Sequence, residues 1–136
     1  MSTRSVTVDR RSRRSQQTLE ALTYQLEHIL ERENLHNFTL GDRRGLVIAN
    51  AGDRRESDVL AAYAPVLARS LDDRHRRRVL ARINTLLPTL PVESIRVRRF
   101  CVDDEDLFLT LVGRPGVYRD VGLYRAITGV RRILDN

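Results

Sequence analysis

Residues 37–50 read NFTLGDRRGLVIAN, and this stretch decides the fold class. Phe38 and Leu40 alternate with Thr39, the pattern of a strand with one buried face. Gly41-Asp42-Arg43-Arg44-Gly45 is dense in turn formers, so the chain reverses there. The run Leu46-Val47-Ile48-Ala49 is continuously apolar, which predicts a strand covered on both faces and therefore central in its sheet. A hairpin of this kind needs helices to cover it, and both flanks supply them. In residues 15–34, Leu19, Leu22, Leu26, Ile29 and Leu30 recur at three- and four-residue spacings, with Ser15 or Thr18 as the cap. In residues 55–71, Val59, Leu60, Tyr63, Leu67 and Leu71 form an apolar face among helix-favouring alanines, with Pro65 inside the pattern.

The second half repeats the theme. Residues 94–113 predict another hairpin: Ile95 and Val97 alternate, Arg98-Arg99 breaks the period as a β-bulge would, and Leu107, Leu109 and Leu111 resume it. The acidic run Asp103 to Asp106 is its turn. Residues 118–134 predict the last helix, with Val121, Tyr124, Ile127, Val130 and Leu134 inward. Gly122 and Gly129 each cost about 1 kcal/mol against alanine, which close packing offsets. Residues 72–91 fit either a helix through Val79, Ile83 and Leu86, ended by Pro88 and Pro91, or a mixed segment holding a short strand. The order is helix, hairpin, helix, mixed segment, hairpin, helix. This predicts an α+β domain with an antiparallel sheet flanked by helices.

The 136 residues suit one domain, and a hydrophobic fraction of 41% suits a folded one. All 24 basic residues are arginine. Residues 1–14 hold five of them and one aspartate, so they carry +4 of the formal +6. This stretch is nearly without core-forming residues, which predicts a disordered Arg-rich arm ahead of a domain at 15–136. A single cysteine, Cys101, excludes an internal disulfide. With no leader-like or membrane-spanning apolar run, the sequence predicts a cytoplasmic protein without a membrane span.

No catalytic constellation emerges, so the expectation is no enzyme, no metal and no cofactor. His28, His36 and His75 have no second ligand at a metal-binding spacing. Cys101 sits in a predicted strand and reads as a small buried apolar residue. Ser57, Ser70 and Ser94 lack a neighbouring base. The turn at Asp103–Asp106 lacks the central glycine and the distal glutamate of a calcium loop.

The segment Gly41 to Ala49 resembles the first hairpin of roadblock-type domains, the dynein light-chain and bacterial small-GTPase-regulator family. The matching positions are Asp42, Gly45, Leu46 and Ala49. An alanine-rich helix follows here from Glu56 to Leu71, then strands and a C-terminal helix at 94–134, so the likeness spans roughly residues 16–134. It is one of order and pattern. It implies a non-catalytic homodimer that regulates or scaffolds a Ras-like small GTPase or a larger complex. The family has three strands after its second helix, whereas only two are evident here, at 94–102 and 107–113. That difference bears on the sheet edge and on how the domain would pair. The partner-binding candidates are Tyr63, Leu67, Arg74, Arg76, Arg77 and Arg78. Two other readings compete: a small GAF- or profilin-like sensory domain that binds a small ligand, and an arginine-mediated nucleic-acid binder acting through the arm and Arg74–Arg82.

Because residues 1–14 bring almost nothing to a core, their deletion is expected to change unfolding free energy in urea by less than about 0.5 kcal/mol.

Overall fold

The computed structural model describes residues 2–70, 72–114 and 120–135, with backbone alone for 2–15 and 120–124. Helix α1 spans Ser2–Arg32 and is followed by strands β1 (Asn37–Asp42) and β2 (Val47–Ala51). Helices α2 (Arg54–Ala68) and α3 (Asp73–Leu86) come next. A short 3-10 turn at Val92–Ser94 leads into β3 (Ile95–Val102), β4 (Glu105–Val112) and helix α4 (Asp120–Asp135). The four strands form one antiparallel sheet in the order β2-β1-β4-β3.

Local chemistry explains the joints. At the end of α1, Asn34 takes a left-handed conformation (φ 53°). Leu35 N then donates to Leu30 O at 2.9 Å and Asn34 N to Glu31 O at 3.2 Å, satisfying carbonyls that the helix end leaves bare. This closure drops Leu35 into the core and aims the chain into β1. In the first hairpin, Asp42 Oδ1 accepts from Arg44 N (2.9 Å) and Leu46 N (3.0 Å). Gly45 supplies the positive φ (84°) that this turn demands. The second hairpin turns on Asp103 and Asp104, with φ of 51° and 65°. Two successive positive φ values make a type I′ turn, whose twist matches the strands.

The sheet separates two apolar layers. On one face Phe38, Leu40, Leu107, Leu109 and Leu111 pack against Leu22, Leu26 and Ile29 of α1 and Ala126 and Val130 of α4. On the other, Ile95 and Val112 pack against Leu60 and Leu67 of α2 and Val79 and Ile83 of α3. Helix α2 lies very close to the strands. A methyl group on Gly41 would stand 3.2 Å from Ala61 Cβ, so a small pair is required at that crossing. Helices α1 and α4 also approach closely, since a methyl on Gly129 would meet the Gln25 side chain.

Beneath the start of α2 the interface is polar. Asn37 is fully buried. Its Nδ2 donates to Asp53 O (3.2 Å), and its Oδ1 accepts from Thr39 Oγ1 (2.7 Å) and Ser57 Oγ (3.2 Å). Asn50 Nδ2 donates to Ser57 Oγ at 3.1 Å, which brings β2 into the same network. Thr110, opposite Thr39 on β4, buries its hydroxyl without a partner among the described residues.

The backbone of residues 2–14 is helical and continuous with α1. Four expectations change. β2, expected to be central, is an edge strand: it lies last in the sheet between α1 and α2, with Ala49 buried, Val47 and Ile48 half-buried and Leu46 exposed at the start of the apolar run. Residues 73–86 are helical, which removes the strand alternative for that segment. No bulge occurs at Arg98-Arg99, since β3 and β4 pair without a shift from Ile95 to Val102. The broken hydrophobic period there marks an arginine-bearing edge, and the irregularity falls instead at Leu40/Gly41. Cys101 is exposed rather than buried. Leu71 and the side chains of Val121, Gly122 and Tyr124 lie outside the described residues.

Truncating the buried amide with Asn37→Ala strands the buried Thr39 hydroxyl, while Ser57 Oγ keeps Asp53 O and Asn50, and Asp53 O keeps Ser57 N. The expected cost is about 1–3 kcal/mol in urea unfolding, with Asn50→Ala, nearer solvent, costing less.

Candidate partner-binding surface

Helices α2 and α3 each begin on an aspartate cap. Asp53 Oδ1 accepts from Glu56 N at 2.9 Å, and Asp72 Oδ1 accepts from His75 N at 2.7 Å. These caps set where both helices start, and hence which residues line the groove between them. Helix α3 is strongly two-sided. Val79 and Ile83 are buried against α2, while Arg74, Arg77, Arg78 and Arg82 are exposed.

The groove has a volume of about 410 Å³. Tyr63, Val66 and Val79 give it an apolar floor, Arg78 and Arg82 give it a cationic rim, and His75 completes the wall. Ser70 Oγ lies 3.3 Å from His75 Nδ1, so Ser70 has the neighbouring base that its sequence surroundings did not show, and the contact ties the α2–α3 junction together. Arg76 is different from its neighbours. Its guanidinium reaches across to donate to Ile95 O at 3.0 Å, so it fastens α3 to the start of β3. An apolar floor with a basic rim offers a protein partner hydrophobic contact at the centre and charge selection at the edge.

The six residues singled out from sequence therefore divide. Tyr63 and Arg78 meet in the groove. Arg74 and Arg77 stand exposed on α3 outside it, and Arg77 Nε donates to Asp73 O at 3.4 Å. Arg76 is structural in its contact. Leu67 is 4% exposed and belongs to the core under α2, so it supports the groove from below. Val66 has no place in either sequence-based reading, and Arg82 enters only the nucleic-acid one. Their signal lies in the three-residue step from Tyr63 to Val66 and the four-residue step from Arg78 to Arg82, which keep each pair on one helix face.

The other polar candidates lie apart from one another. His28 stacks on Tyr24 on the exposed side of α1, with ring centroids 6.3 Å apart. His36 Nε2 lies 3.0 Å from Glu56 Oε2 and braces the start of β1 against α2. Ser57 is wholly buried in the Asn37 network. Among the described residues no three His, Cys, Asp or Glu side chains group as metal ligands. None of the described helices is long and apolar enough to cross a membrane.

Against this geometry the comparisons are informative. No family model matches the chain, and no curated protein matches it in sequence. In structure it is similar to MglB from Myxococcus xanthus, with a TM-score of 0.55, covering 86% of this chain and 90% of that one at 11% sequence identity. The chain has a roadblock-type fold. At that identity the likeness is one of fold, and it agrees with the element order read from the sequence. Within the roadblock-type pattern this domain has one departure. Where a third strand is expected after the second helix, the chain forms α3 and a 3-10 turn, and the sheet ends at β3.

Reversing the rim with Arg78→Glu and Arg82→Glu is expected to change unfolding free energy by less than about 0.5 kcal/mol, because both side chains are exposed. Ile83→Ala, on the buried face of the same helix, is expected to cost about 2–5 kcal/mol. Equal costs for the two changes would contradict the placement of α3.

Proposed function

We propose that this chain is a non-catalytic, homodimeric protein-binding module that regulates or scaffolds a Ras-like small GTPase or a larger complex containing one. The observation that carries the reading is the likeness of fold to MglB across 86% of the chain. The resemblance of Gly41 to Ala49 to the first roadblock-type hairpin supports it independently. The groove between α2 and α3 supports the binding role, since Tyr63, Val66 and Val79 offer apolar area inside a rim of arginine. Arginine and tyrosine anchor protein interfaces well, because both bring large contact area together with directed hydrogen bonds. In this reading Tyr63 and Arg78 touch the partner, Arg74 and Arg77 steer it by charge, and Arg76 and Leu67 hold the surface in shape. A cytoplasmic setting fits the single cysteine of the sequence.

The test is a titration of a Ras-like small GTPase from the same genome, loaded with either guanine nucleotide, while nucleotide release and hydrolysis are followed. The module is expected to bind one loaded state more tightly and to change one of the two rates. Arg78→Glu with Arg82→Glu should weaken that binding by about ten-fold or more, the size of effect that a buried charged contact carries. Sedimentation velocity should report a dimer. A monodisperse monomer that leaves both rates untouched would contradict the proposal.

A further inference from the structure

Antiparallel geometry decides which backbone groups of β3 face away from the sheet. Gly113 N donates to Ser94 O at 3.2 Å, so Ser94 turns its backbone toward β4. By the two-residue period Arg96, Arg98, Phe100 and Val102 do the same, and Ile95, Val97, Arg99 and Cys101 turn theirs outward. Ile95 is already engaged. Its N–H donates to Val92 O, and its carbonyl accepts from Arg76 (3.0 Å) and Arg96 (3.0 Å). Val97, Arg99 and Cys101 are left to present a row of backbone donors and acceptors at the end of the sheet.

The side chains around that row are cationic. On the α4 side, Arg96 and Arg98 are exposed, and the Arg131 guanidinium stands over the Phe100 ring at 5.7 Å. A groove of about 280 Å³ runs there between Arg98, Phe100, Ile127 and Arg131. On the α2 side, Val97 packs against the second core layer and Arg99 is exposed, with Asp106 at 3.7 Å as its counter-charge. The remaining acids near this strand are Asp103, Asp104 and Glu105 at the hairpin tip and Glu93 ahead of Ile95. The middle of the edge is therefore positive on the α4 side, and on the α2 side it is apolar at Val97 and charge-paired at Arg99.

We infer that the β3 edge receives an extended acidic segment of a protein partner as an added strand. Backbone bonds to Val97, Arg99 and Cys101 hold the segment in register. Carboxylates at alternate positions meet Arg96, Arg98 and Arg131 on the α4 side, and the residues between them fall on the side of Val97, where small apolar side chains fit. A second copy of this chain is a poor occupant, because antiparallel β3 pairing centred on the strand sets Arg98 against Arg98 in one register and Arg99 against Arg99 in the next. A nucleic acid would use the arginines and leave the backbone row idle. This inference goes beyond the proposed function and stands without a GTPase.

The probe is a fluorescein-labelled octapeptide alternating glutamate and valine, followed by anisotropy with the full chain. It is expected to bind at least about ten-fold more tightly than its glutamine–valine counterpart, and Arg98→Glu should remove that advantage. N-methylating the peptide amides on one edge should abolish binding, while methylating the opposite edge should leave it intact. Cys101→Pro deletes an outward N–H at an exposed position and should weaken binding with an unchanged thermal melt, since proline is accepted on edge strands. Equal binding by both N-methylated peptides, or by a single-stranded oligonucleotide, would overturn the proposal in favour of charge alone. A concentration-dependent dimer that Arg98→Glu strengthens and the peptide fails to dissociate would overturn it in favour of self-pairing.

Discussion

The Asn37 carboxamide is the contact on which the rest of the architecture depends. It lies with no exposure between β1 and the first turn of α2, and all its bonds are local to that junction. A buried amide left unpaired costs several times what a satisfied one contributes, so this junction tolerates essentially one geometry. With the start of α2 held there, the helix crosses the sheet at Gly41 and Ala61, where only small residues fit. That crossing fixes the height of α2 above the strands. The height then sets where Tyr63 and Val66 emerge and how α3 packs beside them.

The elements were legible in sequence where period and burial agree. The leucines of α1, the alternation of Leu107, Leu109 and Leu111, and the turn at Asp42 to Gly45 each admit one reading. Reading failed where two physical causes write the same pattern. A continuous apolar run signals cover on both faces, and a central strand or an edge strand between two helices both produce it, so β2 was misplaced. Two consecutive arginines in a strand signal a shift in register or a solvated edge, and β3 is the latter. The α3 segment was ambiguous because five arginines mask its apolar stripe, although Val79 and Ile83 lie one turn apart. The Asn37 network was invisible because its members come from β1, β2 and α2, and no local spacing joins them.

Among the site residues, Tyr63 and Arg78 were readable as surface because each stands beside a helix position that must face inward. Leu67 lies in the core instead of on the surface, since a helix packed on a sheet and on a second helix buries more than one stripe. Replacement of a strand by α3 also moves the edge of the sheet to β3, and the arginines there give that edge a chemical preference. A bare edge pairs with any strand, whereas one flanked by guanidinium groups disfavours its own copy and favours carboxylate. In both proposed surfaces, the α2–α3 groove and the β3 edge, arginine supplies the selection.

The most direct test of this account is residue-resolved amide hydrogen exchange of the free protein in solution. The amides of Arg96, Arg98 and Phe100 should be protected by β4, those of Val97, Arg99 and Cys101 should exchange rapidly, and the α3 amides from Arg77 onward should be slowed by helical bonding. Uniform protection along β3, or rapid exchange through α3, would mean that the edge is already paired or that the helix is not formed, and either result would contradict the account.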